Sequence, residues 1–230
     1  MGLALHYCNS PANELSCKKE NQYMMATAAK GWSLQLPEGK SIELNFSEPL
    51  SEEEFDALCR DNPDLKTERE PDGKIVIMAP VYLDSGYFEG IVFTYLSNYS
   101  LQNGKGRAYS PSTGFKLPDG STRSADASWV SNEKLNRLTP EQRRSFAPVV
   151  PDFVVEVRSD SDSLLRLQHK MTSVWIAGGT SLAWLIDPLD QKAYIYRKNG
   201  SIEGVAHFEA ELSGEDVLPG FVFPLRLLKL

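Results

Sequence analysis

The sequence has few cysteines, no long apolar run and no excess of positive charge. Its three cysteines, Cys8, Cys17 and Cys59, form no C-x-x-C pair, which argues against both a disulfide framework and a structural zinc site. No stretch of about 18 apolar residues could span a membrane, and residues 1–20 lack the apolar centre of a signal peptide. We therefore expect a cytoplasmic protein with no membrane partner.

The negative charge is concentrated in one segment. The chain has 31 acidic and 24 basic residues, a net charge of −7, and residues 41–80 alone contain 11 acidic and 4 basic residues, which is the same difference of −7. Residues 81–180 are nearly neutral, with 10 acidic and 11 basic residues. A partner bound only by an overall positive charge is therefore excluded. The sequence shows no clearly basic face of the kind that a nucleic-acid-binding protein usually has, but the nearly neutral central segment would not repel a nucleic acid.

The length of 230 residues, of which 41% are hydrophobic, suits one domain with a terminal appendage. Residues 1–45 mix polar residues, glycine and proline without a sustained period of 2 or 3.6. We predict that they form a weakly ordered N-terminal extension and that residues 46–230 form the domain.

Three segments are predicted to be helices. Ser51 and Glu54 form a capping box at the start of the first, and its acidic residues are interpreted as a solvated helix face. Residues Ser85–Leu101 carry apolar side chains at helical spacing. The third helix follows N-cap candidates at 159–163 and ends at Gly178-Gly179.

The predicted strands share β-branched and aromatic residues bounded by turn signals. They are residues 74–80, Arg107–Tyr109, Gly114–Leu117, Ala125–Val130, Val150–Val157, Ser181–Asp187 and Lys192–Arg197. Together with the helices they indicate an α/β (α+β) fold with a central mixed sheet flanked by helices.

Three acidic residues lie inside apolar strand patterns, where a carboxylate loses its hydration. Asp126 lies in ADASWV, and Asp152 and Glu156 lie in PDFVVEV. Asp152 and Glu156 are about 13 Å apart along a strand, whereas Glu156 and Asp126 would meet if their strands were neighbours at about 4.8 Å. Paired carboxylates suit Mg²⁺ or Mn²⁺ together with substrate phosphates, and phosphodiester hydrolysis is the chemistry that fits.

Lys170 is the candidate cation, because it lies beside the apolar stripe of the third helix. Gln168 is on the other margin of that stripe. The alternative for Lys170 is a surface lysine whose stem covers apolar area, and the alternative for Asp152 is a turn cap or a partner of Arg123. The tryptophans at 129, 175 and 184 are interpreted as packing residues.

These segments resemble a known family. The similarity covers about residues 50–225 and is most specific from Gly114 to Pro188, a run that includes GFKLPDGSTRSADASWV and PDFVVEVRSDSDSLLRLQHKMTSVWIAGG. The family is the one called "putative restriction endonuclease", formerly a domain of unknown function, within the PD-(D/E)XK nuclease superfamily. The resemblance implies a restriction-endonuclease-like core with a Mg²⁺-dependent (or Mn²⁺-dependent) site at one edge of the sheet.

The resemblance also implies roles for individual residues. Asp126 takes the place of the aspartate in the Pro-Asp element, although Ala125 stands where the family has proline. Glu156 takes the place of the acid in the (D/E)XK element. Arg158 stands where the superfamily has lysine, so the lysine role falls on Lys170, with Arg158 as the rival cation.

Two further acids complete the set of candidates. Glu89 is the acid that the first core helix of such folds often contributes, and Asp152 begins the same strand as Glu156. We expect catalysis by Asp126, Glu156 and Lys170, with the metal held by the two carboxylates.

The function favoured at this point is a metal-dependent endonuclease that hydrolyses phosphodiester bonds of DNA. The alternative is an inactive binding or assembly module that keeps the fold, since position 158 lacks a lysine and no basic face is evident. Self-association through the acidic segment 41–80, which would make the nuclease core one half of a homodimer, is a third hypothesis.

Overall fold

The computed structural model describes residues 24–27, 32–36, 41–46 and 48–229. The helices are α1 (Glu52–Asp61), α2 (Leu83–Asn103), α3 (Asn132–Leu135) and α4 (Leu164–Lys170), the last continuing as a π-helix (Met171–Ile176). The strands, in chain order, are β1 (Met24–Thr27), β2 (Trp32–Leu36), β3 (Ser41–Phe46), β4 (Lys66–Arg69), β5 (Ile75–Met78), β6 (Gly106–Tyr109), β7 (Phe115–Lys116), β8 (Thr122–Arg123), β9 (Ala127–Ser131), β10 (Phe153–Val157), β11 (Leu182–Asp187), β12 (Lys192–Arg197), β13 (Ile202–Val205), β14 (Glu211–Ser213) and β15 (Val222–Pro224).

The central sheet has the order β13-β12-β11-β10-β9-β6. Strands β10 and β11 are parallel, and the other neighbouring pairs are antiparallel. The predicted mixed sheet is therefore confirmed. Because side chains alternate along a strand, β10 sends Phe153 and Val155 to one face and Val154 and Glu156 to the other.

Helices cover both faces of this sheet. On one face, Phe88, Val92 and Leu96 of α2 pack against β9, β10 and β11 in a single apolar cluster. On the other face, Met171 and Trp175 of the π-helix pack in a second cluster that includes residues of β10 and β11. Glu156 projects into this second layer, so together with Val154 it faces the helix after the strand.

The second sheet has the order β1-β2-β3-β5-β4-β8-β7 and its strand pairs are antiparallel. Strands β1 and β2 lie within residues 1–45, the range predicted to be a weakly ordered extension, and β3 begins in that range and ends one residue beyond it. The rest of that range lies outside the described residues. Short strands without clear alternation gave no sequence signal for this pairing.

The helix boundaries follow the predicted start and stop signals. The Glu54 N–H donates to Ser51 Oγ at 3.2 Å and the Ser51 N–H donates to Glu54 Oε2 at 2.8 Å, so the capping box is confirmed. Helix α2 extends the predicted Ser85–Leu101 by two residues at each end and stops at Gly104, whose φ is +69°. Glycine tolerates this left-handed conformation, which L side chains rarely adopt.

Further sequence expectations differ from the structure. Asp126 lies immediately before β9 rather than inside the strand. The sequence predicts two strands after the third helix, whereas the structure has five, β11 to β15. The strands β13 to β15 escape prediction because each has too few residues for a recognisable alternation. Among the described residues, none of the helices has the length and apolarity needed to cross a bilayer.

Candidate active site

The site begins with the pairing of β9 and β10. Val155 is opposite Ala127 in the antiparallel register, which places Glu156 beside Asp126 on the same face of the sheet. The Val157 N–H donates to Asp126 Oδ2 at 2.7 Å and fixes that carboxylate at the end of the strand pair. The two strands predicted to bring these acids together are therefore neighbours.

Glu156 is held in a polar contact inside the helix layer, where its residue is only 4% exposed. Its Oε1 accepts a hydrogen bond from Trp175 Nε1 at 2.8 Å and contacts Lys170 Nζ at 2.9 Å. The sequence predicted Trp175 only as a packing residue. The structure confirms its burial and adds the hydrogen bond, which a buried indole N–H generally requires.

Lys170 reaches the site from the last turn of α4. Besides Glu156, its Nζ contacts the backbone oxygen of Ser124 at 3.1 Å and Oε1 of Glu68 at 3.4 Å. The Lys170 side chain is 21% exposed, so it turns inward over the sheet rather than out to solvent. The placement predicted from the helical wheel agrees with the structure.

Glu68 is a residue that the sequence reasoning missed. It is 5% exposed in β4 of the second sheet, accepts a hydrogen bond from the Ser124 N–H at 3.0 Å and pairs with Arg123 Nη1 at 3.1 Å. The local sequence KTEREPDG is polar and reads as a solvated turn. All the groups that hold Glu68 lie at least 55 positions further along the chain, so no local signal marks it as buried.

Glu89 approaches the same group of acids from α2. Its residue is half-buried and its side chain accepts no hydrogen bond from the residues that the structure describes. Burial raises the pKa of Glu89, Lys66 opposes that rise, and the charge of Glu156 adds to it. Glu89 therefore belongs to the electrostatic environment of the site.

The two central carboxylates resist ionisation. Burial raises the pKa of Asp126 to about 6, and the neighbouring charge of Glu89 adds to this rise. Burial likewise raises the pKa of Glu156 to about 7, with Lys170 opposing the rise and Asp126 contributing to it. Burial is the larger cause of both rises and repulsion between neighbouring acids adds to it, so a cation bound between the carboxylates would lower both pKa values.

Lys170 and Glu68 shift in the direction expected of a close ion pair. Burial alone would lower the pKa of Lys170, but Glu156 and Glu68 outweigh it and hold the pKa above its usual range. Burial alone would raise the pKa of Glu68, but Lys170 and Arg123 hold it below its ordinary value. Lys170 therefore remains a cation, and it is not a base at neutral pH.

The structure places the remaining candidates outside this group. Asp152 accepts the Ser131 N–H at 2.8 Å and pairs with Lys134 Nζ at 2.9 Å. Its basic partner is thus Lys134, and the suggestion of Arg123 was wrong because Arg123 lies near β4. These contacts fix Asp152 at the start of β10, at the opposite end from Glu156.

Arg158 and Gln168 also make no contact with the two carboxylates. Arg158 Nη1 pairs with Asp187 Oδ2 at 2.8 Å, where Asp187 ends β11 in the core. Gln168 is half-buried, and its side chain forms no hydrogen bond with the described part of the chain. Of the two rival cations, Lys170 is therefore the one beside Glu156.

Metal binding at this site would depend on few protein ligands. Within residues 24–27, 32–36, 41–46 and 48–229, no three His, Cys, Asp or Glu side chains are grouped in a way that could hold an ion. Asp126 Oδ1 and Glu156 Oε2 accept no hydrogen bond from these residues. One or two carboxylates, with water and substrate phosphate, match what Mg²⁺ commonly uses.

A mixed sheet flanked by helices, with two acids and a lysine brought together at the ends of adjacent strands, defines the restriction-endonuclease-like class of fold. The predicted fold class is confirmed. The chain belongs to the family described as "Putative restriction endonuclease", whose sequence model matches residues 52–226. The family resemblance seen in the sequence is thereby confirmed as well.

Among solved structures, the chain is similar to a putative nuclease belonging to DUF820 from Anabaena variabilis ATCC 29413. The two chains are 18% identical, the likeness covers 78% of this chain and 97% of the other, and the TM-score is 0.64. This likeness shows the shared fold. No curated protein matches the chain.

Proposed function

We propose that the protein is a metal-dependent endonuclease that hydrolyses phosphodiester bonds of DNA, with Asp126, Glu156 and Lys170 as its catalytic residues. The observation that carries the proposal is the meeting of Asp126 and Glu156 across adjacent strands, with Lys170 Nζ 2.9 Å from Glu156 Oε1. The family, described as restriction endonucleases, and the similar structure, described as a nuclease, support the same reaction class.

Asp126 and Glu156 would hold Mg²⁺ or Mn²⁺ through the oxygens that accept no hydrogen bond. When bound, such an ion lowers the pKa of a coordinated water and neutralises charge at the phosphoryl group. The raised pKa values of both acids are consistent with a site that is completed by a cation.

The protein's own groups orient the reacting atoms. The Trp175 indole N–H fixes one oxygen of Glu156, and the backbone N–H of Val157 fixes one oxygen of Asp126. Holding one oxygen of each carboxylate restricts the direction of the other. Lys170 supplies a positive charge that favours a phosphate beside the two carboxylates and stabilises the charge that develops on it.

Purified wild-type protein is expected to cleave DNA in Mg²⁺ or Mn²⁺ and to lose this activity in EDTA. Supercoiled plasmid, linear DNA and RNA of matched length, resolved on gels over time, distinguish an endonuclease from an exonuclease and DNA from RNA. Asp126→Asn is expected to reduce the rate at least about 10²-fold, because it removes a charged ligand of the reacting centre.

Asp119→Asn is the matched control for this experiment. Asp119 accepts hydrogen bonds from Ser121 in a turn, where asparagine serves equally well, so cleavage should match the wild type. Equal cleavage by the wild type and Asp126→Asn indicates a contaminating nuclease and contradicts the proposal. Metal-independent binding of DNA without cleavage would favour the inactive binding module instead.

A further inference from the structure

Glu68 joins the second sheet to the candidate active site. It belongs to β4 and pairs with Arg123 of β8 in the same sheet, whereas its other two partners, Ser124 and Lys170, belong to the segment before β9 and to α4. Its side chain is 7% exposed. A carboxylate buried this deeply requires positive charges or hydrogen-bond donors around it. Here they are Lys170, Arg123 and the Ser124 N–H.

Lys170 uses Glu68 as its third acceptor. An ammonium group has three N–H donors, and three acceptors surround Lys170 Nζ: Glu156 Oε1 at 2.9 Å, the Ser124 oxygen at 3.1 Å and Glu68 Oε1 at 3.4 Å. These three contacts come from three different parts of the chain. Together they fix the ammonium on the side of the sheet where Glu156 lies.

Glu68 is itself held on both oxygens. Oε1 accepts the Ser124 N–H at 3.0 Å, and Oε2 pairs with Arg123 Nη1 at 3.1 Å. Arg123 is in turn paired with both oxygens of Glu70. Ser124 is two residues before Asp126, so the carboxylate that contacts Lys170 also anchors the segment that carries Asp126.

We propose that Glu68 is a positioning residue, which holds the Lys170 ammonium against Glu156 and thereby sets its place in phosphodiester cleavage. The role in cleavage rests on the proposed function. The role in holding Lys170 rests only on the contacts of the Lys170 ammonium. Glu68 touches no reacting atom in this arrangement and acts through Lys170.

The test compares the wild type with Glu68→Ala, Glu68→Gln and Glu70→Gln. The first readout is steady-state cleavage, in which Glu68→Ala should lower kcat about 10- to 100-fold with little change in KM, as for partners that orient a functional group. Glu68→Gln keeps an oxygen acceptor for Lys170 and should recover part of kcat. Glu70→Gln weakens the same network one step further from Lys170 and should cleave as the wild type does.

The second readout is independent of catalysis. The folded proteins are treated with a dilute lysine-acylating reagent, and modification of Lys170 relative to exposed Lys198 is measured by mass spectrometry. With its three N–H donors engaged, Lys170 should react slowly in the wild type and in Glu70→Gln. In Glu68→Ala its relative rate should rise several-fold.

Unchanged Lys170 acylation in a folded Glu68→Ala protein overturns the proposal, and so does a fall in kcat that Glu70→Gln reproduces. If Glu68→Ala does not fold, Glu68→Gln carries both readouts, with a smaller fall in kcat and a smaller rise in Lys170 acylation as the expected results and wild-type values of both as the result that overturns the proposal. A wild type that cleaves nothing defeats the proposed function, while the acylation rates still decide whether Glu68 holds Lys170.

Discussion

Replacing Glu156 with glutamine is expected to abolish metal-dependent cleavage and yet to stabilise the metal-free protein at pH 8. Cleavage should fall by about 10³-fold or more, because a charged group that acts on the reacting phosphate is removed. Glutamine keeps the shape and an oxygen acceptor for Trp175, so the helix layer should remain packed. Cleavage rates and urea denaturation of both proteins measure the two effects.

The sign of the stability change follows from the pKa of Glu156. In the unfolded chain this carboxyl titrates near 4.5, and in the folded protein burial raises its pKa to about 7. The folded state therefore binds more protons between these values, and the free energy of unfolding falls as pH rises from about 4.5 to 7. Above pH 7 Glu156 is ionised in the folded protein, and the full free-energy cost of burying its charge is present. Glutamine carries no charge, so the substitution removes this cost.

Glu133→Gln is the matched control for this prediction. Glu133 is an exposed acid that pairs with Arg137 one turn along the same segment, and such pairs contribute little to stability. The free energy of unfolding of the Glu133→Gln protein should differ from that of the wild type by less than about 0.5 kcal/mol at pH 8. If Glu156→Gln is destabilised at pH 8 in EDTA by more than this amount, the electrostatic description of the site is wrong.

Replacing Lys170 with methionine is expected to impair cleavage as strongly and to change stability in the opposite direction. Methionine preserves the stem but leaves Glu156 and Glu68 without their shared cation. Removing one partner of a buried pair commonly costs about 3 kcal/mol or more. The cost should be larger at pH 8 than at pH 6, because Glu156 can take up a proton at the lower pH.

Lys198→Met provides the comparison, since Lys198 is an exposed lysine in the loop after β12. Its stability and cleavage should remain those of the wild type. A Lys170→Met protein that unfolds with wild-type free energy at pH 8 would contradict the ion pairs described for Nζ. Both the Glu156→Gln and the Lys170→Met proteins should lose cleavage, but the first should be more stable than the wild type and the second less stable. General misfolding would destabilise both variants, so the opposite signs identify an electrostatic cause.

The sequence predicts the parts of the site that depend on local pattern. Acids inside apolar runs identified Asp126 and Glu156, and the helical wheel placed Lys170 beside the apolar stripe. Their meeting depended on β9 and β10 being neighbours, which alternation alone does not determine. The family resemblance supplied that condition, and the register in the structure confirms the adjacency.

The parts that were not predicted depend on contacts between distant segments. Glu68 lies in a strand whose sequence is polar, and its burial arises only when Arg123, Ser124 and Lys170 converge on it. Asp152 shows the reverse situation, since its place after a proline in an apolar strand resembled that of a functional acid. Its pairing with Lys134 is likewise a tertiary contact.

The most direct test of the account is calorimetric titration of the metal-free protein with Mn²⁺. Asp126 and Glu156 are proposed to hold the ion, whereas Asp152 at the other end of β10 is not. We predict saturable binding to the wild type and to Asp152→Asn, and none to Asp126→Asn or Glu156→Gln. Equal binding by all four proteins, or no binding by the folded wild type, would contradict a metal site between the two strands.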